Sequence, residues 1–183
     1  MTHTVRPVRS EEWPEVRDFR LIALQDPDAH LAFLDTYEAA LARPEQIWRD
    51  RVAAAAEGRT SRQFIAEDAA GRWLGSVVVL VELPDNQAAF GGPPTVPQAH
   101  LVGVFVRPEA RGSGVADELF RAAVAWSWAL PEPRLERVRL YVHEKNTRAQ
   151  AFYAKAGFLP SGLRVPIPGD EAMREIELAV PRP

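Results

Sequence analysis

The chain has 183 residues, no cysteine, four histidines and a formal net charge of −3. That length suits a single domain over 1–183 with a sizeable core. The composition excludes disulfides, a thiolate nucleophile and zinc-knuckle spacing. No histidines are paired at ligand spacing, no apolar run reaches membrane-spanning length, and the scattered arginines form no basic stripe. The polar start at Thr2, His3 and Thr4 does not read as a signal peptide. The expectation is a cytoplasmic protein, monomer or homodimer, without metal, membrane or nucleic-acid partners. Its mild acidity suits a cationic or amine substrate.

Thr4 to Val8 reads as a first strand, at an edge because Pro7 interrupts it. Ser10 suits a helix N-cap, with Glu11 and Glu12 in the first turn. Trp13, Val16, Phe19, Ile22 and Ala23 carry that helix to Gln25. Asp28 to Ala42 is either a short helix or an ordered loop. Pro44 fits the first position of a second helix, which Ile47, Trp48, Val52 and Ala55 continue until Gly58. Arg62 to Glu67 and the valine-rich Trp73 to Leu83 read as strands, with Gly75 marking a bulge. Pro84 to Pro97 excludes regular structure and is either a surface excursion or a lid.

Leu101 to Val106 is an apolar, β-branched run, stopped by Arg107-Pro108. Arg111-Gly112-Ser113-Gly114 follows and opens a helix that runs to about Ala129, with Val115, Leu119, Ala122 and Trp126 on one face. A strand, a glycine-rich turn and a helix N-terminus together hold phosphate, because exposed N–H groups and the helix dipole favour an anion. A Walker A loop needs a Lys-Ser/Thr pair where Val115-Ala116 stands, and a dinucleotide fingerprint needs glycine or alanine at Asp117. Neither is present. Beyond the helix, Arg137 to His143 alternates as a strand, and Asn146 caps a helix from Thr147 to Ala156. Phe158 starts another strand, Pro160 to Asp170 reads as a proline-punctuated loop, and Met173 to Val180 closes the sheet. The order β-α-α-β-β-β-α-β-α-β-β predicts an α/β protein (α+β, mixed sheet) with helices on both faces.

Arg111-Gly112-Ser113-Gly114-Val115-Ala116 resembles the Arg/Gln-x-x-Gly-x-Gly/Ala signature of the Gcn5-related N-acetyltransferase (GNAT) superfamily. Asn146-x-x-Ala149-x-x-Phe152-Tyr153-x-x-x-Gly157-Phe158 is similar to that family's fourth-helix motif, at the family's spacing. The element order matches along essentially the whole chain. The resemblance implies a splayed central strand pair and transfer of an acetyl group from acetyl-CoA to a primary amine, of a small molecule or a peptide. It implies that backbone N–H groups of Arg111, Gly112, Ser113, Gly114, Val115 and Ala116 hold the CoA pyrophosphate. Val104, Phe105 and Val106 would pair with the pantetheine, with the Val104 N–H polarising the thioester carbonyl. Asn146 would contact CoA, and Tyr153 would protonate the departing thiolate.

Each role has a structural rival. Asn146 is also a plain N-cap, and Tyr153, beside Phe152, is also a packing residue. For the base that takes the amine's proton, His100 is the first candidate, sharing a face with Val102 and Val104 under strict alternation; its rival is a solvent-facing histidine at the strand's start. His143, Glu144 and ordered water follow. The acceptor would pass over Leu31 to Tyr37, Pro160 to Asp170 and the Pro84 to Pro97 excursion, where Asp28, Asp35, Glu38, Glu82 and Asp85 could bind a cation. The tryptophans read as core. The alternatives in function are a non-catalytic acyl-CoA-binding module, or the same fold acylating a protein N-terminus or lysine.

Overall fold

The computed structural model describes residues 2–86, 88 and 90–183; Gln87 and Ala89, within the 84–97 excursion, lie outside the described residues. Among the described residues seven strands form one mixed sheet. Its spatial order is β1 (His3–Pro7), β2 (Ser61–Asp68), β3 (Trp73–Glu82), β4 (Gln98–Val106), β5 (Arg137–His143), β7 (Asp170–Pro181), β6 (Leu159–Ile167). Every neighbouring pair is antiparallel except β4 and β5. A parallel pair needs a crossover, which helix α5 (Val115–Ala129) supplies. β4 and β5 pair only from Gln98↔Arg137 to Leu101↔Leu140, then part, so the expected splay is present.

The two faces of the sheet carry separate apolar clusters. One packs Leu74, Val77 and Leu140 against Leu119 and Phe120 of α5 and Tyr153 of α6 (Thr147–Lys155). The other packs Ile65 and Phe105 against Phe19 of α1 (Trp13–Leu24) and against Trp48 and Val52 of α4 (Glu45–Glu57). Leu74, Leu119 and Leu140 are each at most 1% exposed, and full burial of such a side chain contributes roughly 1.5–3 kcal/mol. No helix among the described residues is long and apolar enough to cross a membrane.

Several local expectations need correction. Ser10 does not cap α1; it opens a 3-10 turn over Ser10–Glu12, and the Glu12 carboxylate accepts the Arg9 N–H at 2.8 Å while pairing with Arg6 at 2.7 Å. The ambiguous 28–42 segment holds two short helices, α2 (Ala29–Ala32) and α3 (Tyr37–Ala42); Thr36 caps the second by accepting the Ala39 N–H at 3.2 Å. Pro160 to Asp170, expected as loop, is mostly β6. That strand is the outermost, bonded only to β7, and an edge tolerates Pro160 and Pro166. The buried stripe of α5 runs through Val115, Leu119, Phe120, Ala123 and Ser127, while Ala122 and Trp126 are only partly buried.

The bulge expected at Gly75 is present: the register steps from Ala66↔Gly75 to Glu67↔Trp73, leaving Leu74 unmatched. A Cβ on Gly75 would lie 2.9 Å from Leu119 Cδ1, so its glycine lets α5 approach closely. A second bulge overturns the strict alternation expected in β4. Ser76↔Phe105 and Val78↔Val102 leave one extra residue in β4, and Gly103 takes it up at φ +61°. Val102 and Phe105 therefore face the cavity beneath α1 and His100 lines the neighbouring cavity on the same face, whereas Leu101, Val104 and Val106 pack into the cluster under α5.

Candidate active site

The turn after β4 is built as a cradle. Gly112 (φ +78°) and Gly114 (φ +91°) take left-handed conformations, and a Cβ on either would meet no protein atom within 4 Å, so the open side stays free for a close-approaching ligand. α5 begins at Val115, so the N–H groups of Val115, Ala116 and Asp117 have no intrahelical acceptor. The Arg111 side chain turns back, its Nε donating to Val106 O at 3.1 Å and Nη2 to Asp26 Oδ2 at 2.5 Å. It braces the turn against the segment after α1. Of the six turn residues, Arg111, Gly112, Gly114 and Ala116 line the cleft. Ser113 points both its N–H and its Oγ at Ala110 O (3.4 and 2.6 Å), and the Val115 side chain is buried in the core.

The cleft, ≈ 510 Å³, runs from the turn along Val106, Phe105 and Val104 into the gap between β4 and β5, with Asn146, Phe152 and Tyr153 opposite. An extended, anionic-headed arm fits it: unpaired strand edge on one wall, orphan N–H donors at one end. Asn146 combines both of its expected readings. Its Oδ1 accepts the Ala149 N–H at 3.1 Å and caps α6, while Nδ2 donates to Leu31 O at 3.3 Å and the residue still lines the cleft.

Beyond Val104, Asn146 and Tyr153 the cleft meets a second cavity of ≈ 250 Å³, lined also by His100, Tyr141 and Glu175. Tyr153 is 9% exposed and stacks in a ring cluster with Phe120 and Phe152, yet among the described residues its hydroxyl makes no hydrogen bond. Burial, and secondarily the Glu175 carboxylate, hold the phenol's pKa above the ordinary tyrosine range. Glu175, on β7 opposite His143, is pushed up to about 7 by burial alone. It is the functional candidate missed in the sequence. Its signal was the alternation Glu175-Ile176-Glu177-Leu178, which sets two acids on the face opposite the apolar pair.

His100 is neither solvent-facing nor free. It is 1% exposed, and its Nδ1 lies 2.9 Å from Glu82 Oε1. Burial opposes the Glu82 carboxylate, but hydrogen bonds from His100 and Gln98 and the charge of Arg139 outweigh it and keep its pKa below the usual range. Arg139, wholly buried, bridges Glu82 (2.6 Å) and Glu177 (2.9 Å) and donates to Gly92 O at 2.9 Å, fastening the 84–97 excursion to the sheet. Arg139→Met should lower stability by about 3 kcal/mol, because two buried carboxylates lose the guanidinium they share, leaving Glu82 to His100 and Gln98 and Glu177 to Arg137 and Tyr141; a urea titration measures it. His143 accepts the Lys145 N–H, and Glu144 pairs with Arg164 and the Arg174 N–H; neither lines either cavity.

The acids expected to bind a cation are mostly engaged elsewhere: Glu82 as above, Asp35 with Arg20 and Arg43, and Asp28 lining the cleft rather than the chamber. Among the described residues no cluster of acids and histidines has metal-binding geometry.

A seven-stranded mixed sheet parted between β4 and β5, with a glycine cradle at the end of the gap, defines an acyltransferase fold of the kind that seats an acyl-carrier arm between two strands. The model of the acetyltransferase (GNAT) family matches residues 10–158, and the chain belongs to this family, which uses acetyl-CoA. Mycothiol acetyltransferase of Saccharomonospora viridis is 40% identical over 95 residues, which are 52% of this chain and 29% of that protein. A Bacillus subtilis relative is 35% identical over 66 residues, so the chain's matches span less than half the length of these curated relatives. Among solved structures, a GNAT acetyltransferase from Streptococcus pneumoniae superimposes with a TM-score of 0.76 at 15% identity, covering 99% of this chain and 100% of that one. Spermidine N-acetyltransferase from Vibrio cholerae, in complex with CoA and spermine, gives 0.68 at 16% identity, covering 98% and 95%. At such identities these structures speak for the fold.

Proposed function

We propose that residues 1–183 act as one domain that transfers an acetyl group from acetyl-CoA to a primary amine by direct attack. The observation that carries this reading is the meeting of two cavities at Val104, Asn146 and Tyr153: the arm-shaped cleft on one side and the chamber holding Glu175 on the other. Acetyl-CoA supplies an acyl carbon activated by its sulfur leaving group. The backbone N–H groups of Gly112, Gly114 and the first turn of α5 hold its pyrophosphate. The unpaired edge of β4 from Val104 to Val106 aligns the arm, and the Val104 N–H faces the thioester oxygen; one such donor is worth about 2.7–4 kcal/mol of barrier.

In the chamber Glu175 takes the proton from the amine, whose lone pair then forms the C–N bond as the C–S bond breaks. Glu175 suits this role because its pKa of about 7 lies near working pH. Tyr153 gives its proton to the leaving thiolate. Burial keeps that phenol protonated, and its unpartnered hydroxyl is free to turn toward the sulfur. His100, tied to Glu82, lines the chamber and orients the acceptor rather than abstracting its proton. The reaction consumes amine and thioester and yields amide and thiol, with no covalent enzyme intermediate.

Acetyl-CoA at 100 times its Kd should stabilise the protein by about 2.7 kcal/mol, visible as a rise in Tm by thermal shift. Gly114→Val, which places a β-branched side chain at φ +91°, should lower the protein's own Tm and erase that rise. Thiol release with an amine present then separates catalysis from mere binding. A ligand-induced Tm shift without turnover on any amine would establish the non-catalytic module instead.

A further inference from the structure

The chamber shares Arg20, Asp35, Val102 and Gly103 with a third cavity of ≈ 480 Å³, which lies between the sheet and the helices α1 and α4. Its charge is unbalanced. Arg20, Arg43 and Arg51 all line it, and among them stands one carboxylate, Asp35, at 3.5 Å from Arg20 and 3.2 Å from Arg43. Arg51 makes no ion pair among the described residues and stands exposed at the rim. Burial lowers the Arg20 pKa and Asp35 opposes it only in part; for Arg51, partial burial and the Arg43 charge outweigh Asp35 in the same direction. Guanidiniums crowded in this way gain from a bound anion. The Arg20 guanidinium lies 4.3 Å over the Phe33 ring and Arg43 lies 5.4 Å over Trp48, contacts that orient both side chains at the cavity.

Trp48 supplies an independent observation. It is 4% exposed, lines the same cavity, and its indole N–H has no hydrogen-bond partner among the described residues. A buried donor left unsatisfied gains from an acceptor atom bound in the cavity. The apolar remainder of the wall, Val16, Val78 and Leu80, suits a short methylene or side-chain spacer.

We propose that this cavity anchors the far end of the acceptor, and that the acceptor is an amine carrying an anionic oxygen group, carboxylate or phosphate, held by Arg20, Arg43, Arg51 and the Trp48 N–H. The inference rests on the transferase reading above and narrows it. The amine lies in the chamber beside Glu175 while the oxyanion lies among the guanidiniums, whose planar forks match either group. A polyamine, cationic at both ends, meets like charge here and is rejected.

Thiol release measured on a panel of amines tests it. Glutamate and γ-aminobutyrate carry a carboxylate, O-phosphoethanolamine a phosphate, benzylamine an uncharged far end, and spermidine and putrescine a second cation. The expected result is a kcat/KM at least tenfold higher for one of the two anionic groups, and which group leads identifies the oxyanion. Arg51→Glu should then cut that kcat/KM about tenfold or more through KM, with Arg51→Lys restoring much of it and the Tm shift by acetyl-CoA retained. Equal or better turnover of spermidine, putrescine or benzylamine overturns the inference and leaves the transferase standing, as does an Arg51→Glu enzyme unchanged on anionic amines. Bound acetyl-CoA with no turnover on any amine overturns the transferase reading and this one with it.

Discussion

Glu175→Gln should lose about 10²–10⁴-fold in kcat and, at pH 8, melt at a higher temperature than the parent. Both effects come from one largely buried carboxylate. In the unfolded chain the group titrates near 4.5, and in the folded protein near 7. Between those values the native state keeps a proton that the unfolded state has released. Stability therefore falls as pH rises from 4.5 and the loss is complete above 7. Glutamine carries no such penalty, so the variant's advantage grows across that window and levels off. Allowing for solvent screening, the gain is on the order of 1–2 kcal/mol, or a few degrees in Tm for a chain of this size. Parent kcat/KM should rise with pH through about 7, with the variant lacking that limb. Unchanged kcat in Glu175→Gln would transfer the base role to His100 or to water.

Tyr153→Phe should reduce kcat by about 10²–10⁴-fold while leaving the acetyl-CoA-induced Tm shift intact. Among the described residues the hydroxyl has no partner to strand, and the ring contacts with Phe120 at 5.4 Å and Phe152 at 5.6 Å survive in phenylalanine. Tm should therefore hold or rise slightly, which separates a chemical role from a packing one. A variant of full activity, under conditions where chemistry limits turnover, would return Tyr153 to the core cluster in which it sits. Loss of acetyl-CoA binding would give it a binding role instead.

What the residues announced in advance was local. The glycine turn, the cap at Asn146 and the helix carrying Tyr153 each occupy a few consecutive positions whose backbone conformation their own side chains dictate, and all of them stand where expected. The parting of β4 from β5 came through family resemblance and is likewise present. For Glu175 the alternation with Glu177 marks a polar face but not the site that this face meets. It reaches the chamber only because β7 inserts between β5 and β6, a choice of strand order that no short window encodes. Arg20, Arg43 and Arg51 read as scattered surface charge because their convergence depends on how α1, the link between α3 and α4, and α4 itself pack. Gly103 did carry a signal, a lone glycine inside a β-branched run, and the strict alternation drawn through it failed there.

That extra residue in β4 acts as a change of phase. Up to Val102 even positions look into the acceptor chamber; after Gly103 odd ones look toward α1, as the 5.5 Å contact of Phe105 with Phe19 shows. One strand thus serves two readers. Its first half lines the acceptor side with His100 and Val102, and its second half sends Val104 and Val106 the other way. Removing a single residue at 103–104 would restore parity along the whole strand. Phe105 would still meet Phe19, and Val104 and Val106 would keep the opposite face, because the residue removed is the one that β3 leaves unmatched. What the extra link supplies is therefore a left-handed bend at Gly103, in the wall that the two acceptor-side cavities share, and not the orientation of the side chains beyond it.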